Sequence, residues 1–241
     1  MQTLIYKDSD ELSHAYADWF MQKTISVLKT QDAFTVSLSG GSTPKKLYRI
    51  LAAEPYKSGI EWNRIHFFWG DERFVPFSDE KNNARMAFDE LLDKVAAERN
   101  QIHIMETSLH PTEAVTQYEN VLHRYFDGKD KTFDLVMLGL GDNAHTLSLF
   151  PGYEIVHDNS NWVSAFFLDE QDMYRISLTK AIVNKASSIT YLVAGADKAP
   201  ALKAVIEGPP DPDLYPAQVI DNQGELIWFL DEAAAADLTV K

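Results

Sequence analysis

The stretch FDLVMLGLGDNAHTLSLFPG, from Phe133 to Gly152, decides how the rest of this sequence is interpreted. Its first six residues, Phe133–Leu138, form a short apolar run typical of a buried strand. The glycines that follow predict a turn, and Pro151 limits any subsequent helix to one or two turns. His145 is therefore expected just beyond the carboxyl end of a central strand, where open α/β sheets place their ligands.

Similar short runs alternate with segments of helical spacing along the chain. The predicted strands are Thr3–Tyr6, Phe34–Leu38, Ile65–Trp69, Phe133–Leu138, Tyr174–Leu178, Ile189–Val193 and Leu226–Leu230. The predicted apolar helix faces are Leu12, Tyr16, Trp19 and Phe20; Met86, Leu91 and Val95; and Val115, Tyr118 and Leu122. This alternation predicts an α/β fold with a mostly parallel sheet and helices on both faces. Because repeats and flexible linkers are absent, we expect residues 1–241 to form a single domain.

The composition excludes several classes of function. A formal net charge of −14 argues against a nucleic-acid partner, because phosphate backbones are bound by clustered lysine and arginine. The absence of cysteine excludes disulfides and thiolate chemistry and is compatible with a cytoplasmic protein. No secretory leader pattern and no apolar window of about 18 residues occurs, so we expect a soluble protein without a membrane partner.

The segment SGGSTP, Ser39–Pro44, follows a predicted strand and begins a helix. Ser42 or Thr43 is expected to be the N-cap, with Pro44 in the first turn. Two glycines let backbone N–H groups face a ligand, and the helix N-terminus adds partial positive charge, so this loop is a candidate phosphate cradle. The alternative is a capped turn that binds nothing, and the Walker spacing is absent.

Three charged residues, Asp71, Glu72 and Arg73, follow the predicted strand Ile65–Trp69 within GDERFVP, Gly70–Pro76. Taken alone, they could form a solvated loop. Because the carboxyl ends of parallel strands meet at one edge of a sheet, we expect them to lie beside SGGSTP and His145.

The turn before His145 matches the dinucleotide pattern G-x-G-x-x-[GA], but such a site needs a long helix, which Pro151 prevents. The imidazole itself titrates near neutral pH, although a lone histidine is more often structural. The other six histidines lack metal-binding spacing, so we expect no metal site. Arg175 and Lys198 are either surface charges or cations that bind a phosphate.

Four motifs in this order, SGGSTP, GDERFVP, GLGDNAHTLSLFPG and GADK, resemble those of the 6-phosphogluconolactonase family, and Pro216–Val219 resembles a C-terminal segment of it. The resemblance implies a Rossmann-like enzyme that hydrolyses 6-phosphogluconolactone to 6-phosphogluconate in the oxidative pentose phosphate pathway, without a metal or organic cofactor. The implied ligand is a small phosphorylated sugar lactone. For the assembly, we expect a monomer or a weak homo-oligomer.

The same resemblance implies roles for individual residues. His145 matches the histidine taken as the catalytic acid/base, and Asp71 and Arg73 match the charged segment of the family. The residues matched to phosphate binding are Ser39, Gly40, Gly41, Ser42, Thr43, Arg175 and Lys198. Three positions depart from the motif, because Asn143-Ala144 replaces Asp-Gly and Leu147 replaces alanine. Asp142 lies one position before the expected aspartate.

Lactone hydrolysis requires a base for water, a stabilised oxyanion and an acid for the ring oxygen. We assign His145 as base and then acid, Arg73 to the oxyanion or the substrate hydroxyls, and Asp71 to orienting His145 or hydroxyls. Asn143 is assigned to holding the imidazole or the substrate. The alternatives are a glucosamine-6-phosphate deaminase/isomerase, whose motif carries a glutamate where this chain has Ser148–Pro151, and a non-catalytic sugar-phosphate sensor.

Overall fold

A computed structural model describes residues 1–222 and 224–239, in which strands and helices alternate along most of the chain. The strands are β1 (Gln2–Tyr6), β2 (Phe34–Leu38), β3 (Ile65–Trp69), β4 (Asp71–Arg73), β5 (Leu135–Leu138), β6 (Val163–Leu168), β7 (Met173–Leu178), β8 (Ser188–Val193) and β9 (Glu225–Asp231). The α-helices are α1 (Ser9–Leu28), α2 (Ser42–Leu51), α3 (Tyr56–Gly59), α4 (Asn83–Ala87), α5 (Pro111–Phe126), α6 (Lys180–Val183) and α7 (Ala199–Glu207).

Six of these strands form the central sheet, in the order β1-β9-β8-β5-β2-β3. Every neighbouring pair in this sheet is parallel. All residues of β5 and β8 are buried, which means that both faces of the sheet are covered at its centre. The predicted α/β fold with a mostly parallel sheet is therefore confirmed.

A second sheet is antiparallel, in the order β4-β7-β6. The predicted strand at Tyr174–Leu178 exists, but it belongs to this small sheet. The short strand β4 carries three charged residues and has no hydrophobic pattern that would reveal it. The sequence of β6, VSAFFL, has the aromatic enrichment typical of strands, although β6 is not among the predicted strands.

The predicted helix faces lie against the core. Leu12, Tyr16 and Phe20 of α1 and Tyr118 and Leu122 of α5 are each at most 2% exposed. The segment with Met86 and Leu91 departs from a regular helix, because α4 ends at Ala87 and a π-helical turn, Phe88–Leu92, continues it. Within residues 1–222 and 224–239, no helix has both the length and the apolar composition needed to span a membrane.

The carboxyl ends of the central strands determine where polar side chains collect. β2 leads into Ser39–Gly41, β3 into β4, β5 into the glycine-rich turn with His145, and β8 into the segment with Lys198. Parallel pairing of adjacent strands places these loops at the same edge of the sheet. The fold thus brings together segments from residues 39 to 198.

Candidate active site

An open cleft lies where β2, β3 and β5 end. The residues that line it are Ser39, Gly40, Gly41, Asp71, Arg73, Asn83, Gly139, Leu140, Gly141, His145, Thr146, Leu147 and Arg175. A smaller hollow shares two loops with the cleft and is lined also by Ser42, Thr43 and Lys198. The structure therefore places most of the predicted site residues around one continuous depression, and Asn143 contacts His145 beside it.

The imidazole of His145 is held by the side chain of Asn143. Nδ1 of His145 lies 2.5 Å from Oδ1 of Asn143, and the backbone N–H of His145 donates to the same oxygen at 3.3 Å. Because the amide oxygen is an acceptor, this arrangement places the proton of a neutral imidazole on Nδ1. Nε2 then carries the lone pair that a general base requires.

The ring of His145 also packs against Phe150 and Gly141. Its ring stacks on Phe150, with ring centroids 4.2 Å apart. A Cβ atom added to Gly141 would lie only 2.0 Å from Nδ1, so glycine at 141 leaves the space that the imidazole occupies. Burial lowers the pKa of His145 to about 4, although the negative charge of Asp71 opposes this shift. His145 is consequently neutral at physiological pH.

Two of the three positions that depart from the family motif adopt a left-handed backbone. Ala144 has φ of 62° and Leu147 has φ of 54°, a region that favours glycine. The backbone of Ala144 is bonded on both sides, since its N–H donates to the carbonyl of Gly141 and its carbonyl accepts from Ala217, each at 3.0 Å. These bonds hold the turn and attach it to the segment Pro216–Val219.

Asp71 is fixed by residues other than His145. Its Oδ2 accepts from the hydroxyl of Ser148 at 2.7 Å and lies 3.8 Å from Nη1 of Arg175. Among the described residues, neither carboxylate oxygen of Asp71 makes a hydrogen bond to His145. Asp71 therefore acts on the imidazole through its charge, and the orienting contact comes from Asn143.

Arg175 is almost completely buried between β4 and β6 in the small sheet, with 4% of its surface exposed. Its guanidinium donates to Gln171 at 2.6 Å and lies over the ring of Phe150. Its Nε atom is buried without a hydrogen-bond partner among the described residues. Burial lowers the pKa of Arg175 from its usual high value, while Asp71 opposes that shift. Arg175 and His145 line the same cleft, so the unpaired Nε–H group of Arg175 is buried beside that cleft.

Arg73 extends from β4 along the other wall of the cleft. Its guanidinium donates to Oδ1 of Asn83 at 2.5 Å and to the carbonyl oxygen of Lys81 at 3.0 Å. Next to it, the carboxylate of Glu72 is 1% exposed, and burial raises its pKa to about 7 although three backbone N–H groups donate to it. Arg73 is thus supported by groups on its own strand and on α4.

The hollow beside the cleft has the features of an anion cradle. The helix α2 begins at Ser42, and Gly41, with φ of 104°, is its N-cap. The expectation that Ser42 or Thr43 is the N-cap is wrong, because glycine adopts this positive φ without strain, whereas Pro44 does lie in the first turn. In this fully described segment no side chain caps α2, so the N–H groups of Ser42 and Thr43 have no capping side chain, and both residues line the hollow together with Lys198.

Arg175 and Lys198 occupy different parts of this depression. Arg175 lines the cleft with His145, and Lys198 lines the hollow with Ser42 and Thr43. Lys198 is also paired with Asp197, with 2.9 Å between Nζ and Oδ2. The charges of both residues reach His145, where each lowers the pKa of the imidazole.

Sequence reasoning missed two residues of the site, Asn83 and Ser148. Asn82 before a helical pattern is a recognisable N-cap, but nothing in the sequence places the following Asn83 against Arg73. Ser148 was noted only as part of the motif, and its contact with Asp71 depends on the turn of the chain after His145. Over residues 1–222 and 224–239, no group of three histidine, aspartate or glutamate side chains converges in a way that could hold a metal ion.

Comparison with known proteins gives consistent matches over nearly the whole chain. The family model described as "Glucosamine-6-phosphate isomerases/6-phosphogluconolactonase" matches residues 7–228. A 6-phosphogluconolactonase of Nostoc is 38% identical over 240 residues, which cover 98% of each chain. The crystal structure of 6-phosphogluconolactonase from Thermotoga maritima is 26% identical, with a TM-score of 0.84 over 95% of this chain and 99% of that one.

A more distant structure shows that the fold extends beyond lactonases. A monomeric glucosamine-6-phosphate deaminase is 18% identical, with a TM-score of 0.85 over 99% of this chain and 100% of that one. At this identity the likeness shows the fold alone.

Proposed function

This chain belongs to the glucosamine-6-phosphate isomerase/6-phosphogluconolactonase family, and we propose that it hydrolyses 6-phosphoglucono-1,5-lactone to 6-phosphogluconate. One observation carries the proposal: a neutral imidazole, held at Nδ1 by Asn143, shares a cleft with two arginines and adjoins an uncapped helix N-terminus. This combination suits a substrate with a phosphate at one end and a carbonyl at the other. The step belongs to the oxidative pentose phosphate pathway.

The phosphate is assigned to the loop Ser39–Thr43 and Lys198. The N–H groups of the first turn of α2 donate to phosphate oxygens, and the ammonium of Lys198 adds a full positive charge. Arg175 remains an anion-binding residue in the proposal, within the part of the depression that His145 lines. Anchoring the phosphate holds the lactone so that C1 and a water molecule meet beside the imidazole.

Hydrolysis then needs two proton transfers. Nε2 of His145 takes a proton from water as the oxygen attacks C1, and the carbonyl oxygen becomes an oxyanion that Arg73 stabilises. The C1–ring oxygen bond breaks as the imidazolium returns its proton to the departing oxygen, which leaves a hydroxyl group and a carboxylic acid. Asn143 keeps Nδ1 protonated throughout, and Asp71 stabilises the transient imidazolium through its charge.

The proposal includes the form in which the protein works. A single domain is supported by the buried apolar side chains, which form one continuous cluster from Leu12 to Leu238 within the described residues. Function in the cytoplasm is part of the proposal, and the absence of cysteine is compatible with it. The proposal also includes a monomer or a weak homo-oligomer as the working form.

The test follows lactone hydrolysis directly. The lactone is formed in the assay from glucose 6-phosphate by a dehydrogenase, spontaneous hydrolysis is subtracted, and ammonia release from glucosamine 6-phosphate is measured in parallel. Acceleration of lactone hydrolysis supports the proposal. Ammonia release without lactonase activity would assign the protein to the deaminases, and binding of 6-phosphogluconate with neither activity would indicate a sensor.

A further inference from the structure

Asn83, the first residue of α4, contacts two other segments that line the cleft, β4 and the loop Ser39–Gly41. Its Oδ1 accepts from Nη1 of Arg73 at 2.5 Å, and its Nδ2 donates to the backbone carbonyl of Asp71 at 3.0 Å. A Cβ atom added to Gly40 would lie 1.9 Å from Oδ1, so the amide packs directly against the backbone of the Ser39–Gly41 loop. Asn83 is only 2% exposed although its neighbours on three sides are polar.

The chemistry of these partners determines which way the amide faces. A guanidinium has only donors and a backbone carbonyl has only an acceptor, so the oxygen must face Arg73 and the nitrogen must face Asp71. In the opposite orientation both contacts would pair like groups. The amide therefore gives Arg73 one defined position beside the cleft.

A buried carboxylate fixes Asn83 in turn. Oε1 of Glu72 accepts from the backbone N–H groups of Arg73 and Asn83, and Oε2 accepts from that of Ala84, each at 2.8 Å. These bonds tie the first turn of α4 to β4. Because a side chain this deeply buried needs its partners to compensate for lost hydration, Glu72 holds the two elements in one arrangement.

We propose that Asn83 is a positioning residue for Arg73, and that Glu72 fixes Asn83 for this task. The kinetic part of this inference rests on the proposed function, because it assigns Arg73 to the reacting lactone. The structural part, an Arg73 guanidinium held still by Asn83 before substrate binds, stands independently of the reaction.

Two nearly isosteric variants separate the acceptor from the rest of the side chain. Asn83→Leu and Asn83→Asp both lose the donor to Asp71, but only Asn83→Asp keeps an oxygen facing Arg73. Asn83→Ala serves as a second variant without an acceptor where Asn83→Leu does not fold. Each is combined with Arg73→Ala, and thermal unfolding is measured for all of them.

The first readout is the side-chain NMR spectrum of Arg73 in the ligand-free protein, assigned by loss of its signals in Arg73→Ala. We expect hindered guanidinium rotation in the wild type and in Asn83→Asp, and free rotation in Asn83→Leu. Equal hindrance in all folded variants would overturn the proposal, since Asn83 would then not hold the guanidinium.

The second readout is a double-mutant cycle on kcat/KM for the lactone. We expect Asn83→Leu to lower kcat/KM by about 10- to 100-fold, through the same parameter, kcat or KM, that Arg73→Ala changes. When Arg73 is already alanine, we expect Asn83→Leu to cause little further loss. An equal loss in both backgrounds would show that Asn83 acts independently of Arg73. If the wild-type protein has no lactonase activity, the proposed function is refuted. The NMR measurement alone then tests whether Asn83 positions Arg73.

Discussion

The Nδ1 atom of His145 lies 2.5 Å from the amide oxygen of Asn143, a neutral partner where related motifs have a carboxylate. An amide oxygen selects the tautomer with the proton on Nδ1 but adds no negative charge that would favour the imidazolium. Burial lowers the pKa of His145 to about 4, against the opposing charges of Asp71 and Asp142. The base is thus in its active form over a wider range of pH than an unperturbed histidine.

Replacement of His145 with alanine is expected to lower kcat by about 10²- to 10⁴-fold, the usual contribution of general acid–base catalysis. The measurement is the blank-corrected rate of lactone hydrolysis, with circular dichroism to establish folding. His14→Ala is the matched control, because His14 is exposed on α1. A folded His145→Ala variant with a near-normal rate would assign the imidazole a structural role only.

The acidic limb of the kcat/KM profile is expected near pH 4, well below the usual histidine pKa of about 6.5. Activity falls as pH decreases through this value, because the base must be unprotonated. In Asn143→Asp the new carboxylate favours the imidazolium, so the limb is expected to move up by about one unit or more.

The comparison of the wild-type and Asn143→Asp pH profiles controls for titration of the substrate. The substrate phosphate titrates near pH 6, but it does so identically for both proteins, so a difference between the limbs belongs to the enzyme. Recovery of full activity on return to pH 7 excludes acid inactivation. Coincident limbs in two active proteins would mean that residue 143 does not set the basicity of His145.

Removal of the Lys198 ammonium is expected to weaken binding of phosphorylated ligands by about 10- to 150-fold, which corresponds to about 1.5–3 kcal/mol for charged hydrogen bonds. KM for the phospholactone and Kd for 6-phosphogluconate report this loss. Lys203→Ala is the control, because Lys203 is exposed on α7 and lines neither the hollow nor the cleft. Arg175→Ala should show a comparable loss of affinity.

The same variants also test the need for phosphate. Unphosphorylated gluconolactone is expected to be a poor substrate for the wild type, and its rate should change little in Lys198→Ala. Equal efficiency of the wild type on the two lactones would contradict the assignment of the hollow to phosphate.

Stability is expected to fall as the pH is lowered from about 6.5 to 4, in part because of His103. Its Nε2 lies 2.8 Å from the hydroxyl of Tyr125, which also contacts Nδ1 of His66 at 2.9 Å. Burial lowers the pKa of His103 to about 4 and also lowers that of His66. The unfolded chain therefore binds more protons than the folded one in this range, which favours unfolding.

The expected result is a change in the slope of the unfolding midpoint against pH. The midpoint is measured at several pH values for each protein. His103→Gln should lose less stability than the wild type between pH 7 and 4.5, whatever its stability at pH 7. His14→Gln should follow the wild type, since its side chain is exposed. Parallel curves for wild type and His103→Gln would show that His103 is not protonated on unfolding.

The central sheet could be predicted from the sequence because its strands are short apolar runs with helical segments between them. β2 and β3 agree with the predicted bounds to the residue, and the predicted run at Phe133 begins two residues before β5. Asp134 leaves the strand because its carboxylate accepts from the backbone N–H and the hydroxyl of Thr35. The antiparallel sheet was missed because β4 has no apolar periodicity.

The candidate site was predictable where a residue lies in the segment that follows a central strand. Ser39, Asp71 and His145 are of this kind, and strand order alone brings them to one edge. Asn83 belongs to a short helix whose position depends on the buried carboxylate of Glu72, a contact with no sequence signature. Arg175 and Lys198 lie in different parts of the depression because β7, which carries Arg175, belongs to the second sheet.

The register of the outermost strand has a consequence for biosynthesis. β1 pairs with β9, from Gln2 opposite Ile227 to Tyr6 opposite Asp231, so the strand of the central sheet that is synthesised first pairs with the one that is synthesised last. α1 and the remaining strands of the sheet are synthesised in between, and β1 stays unpaired in the nascent chain until β9 has been made. Closure of the sheet is therefore a late event, and a chain that stops before Glu225 leaves β1 without its strand partner.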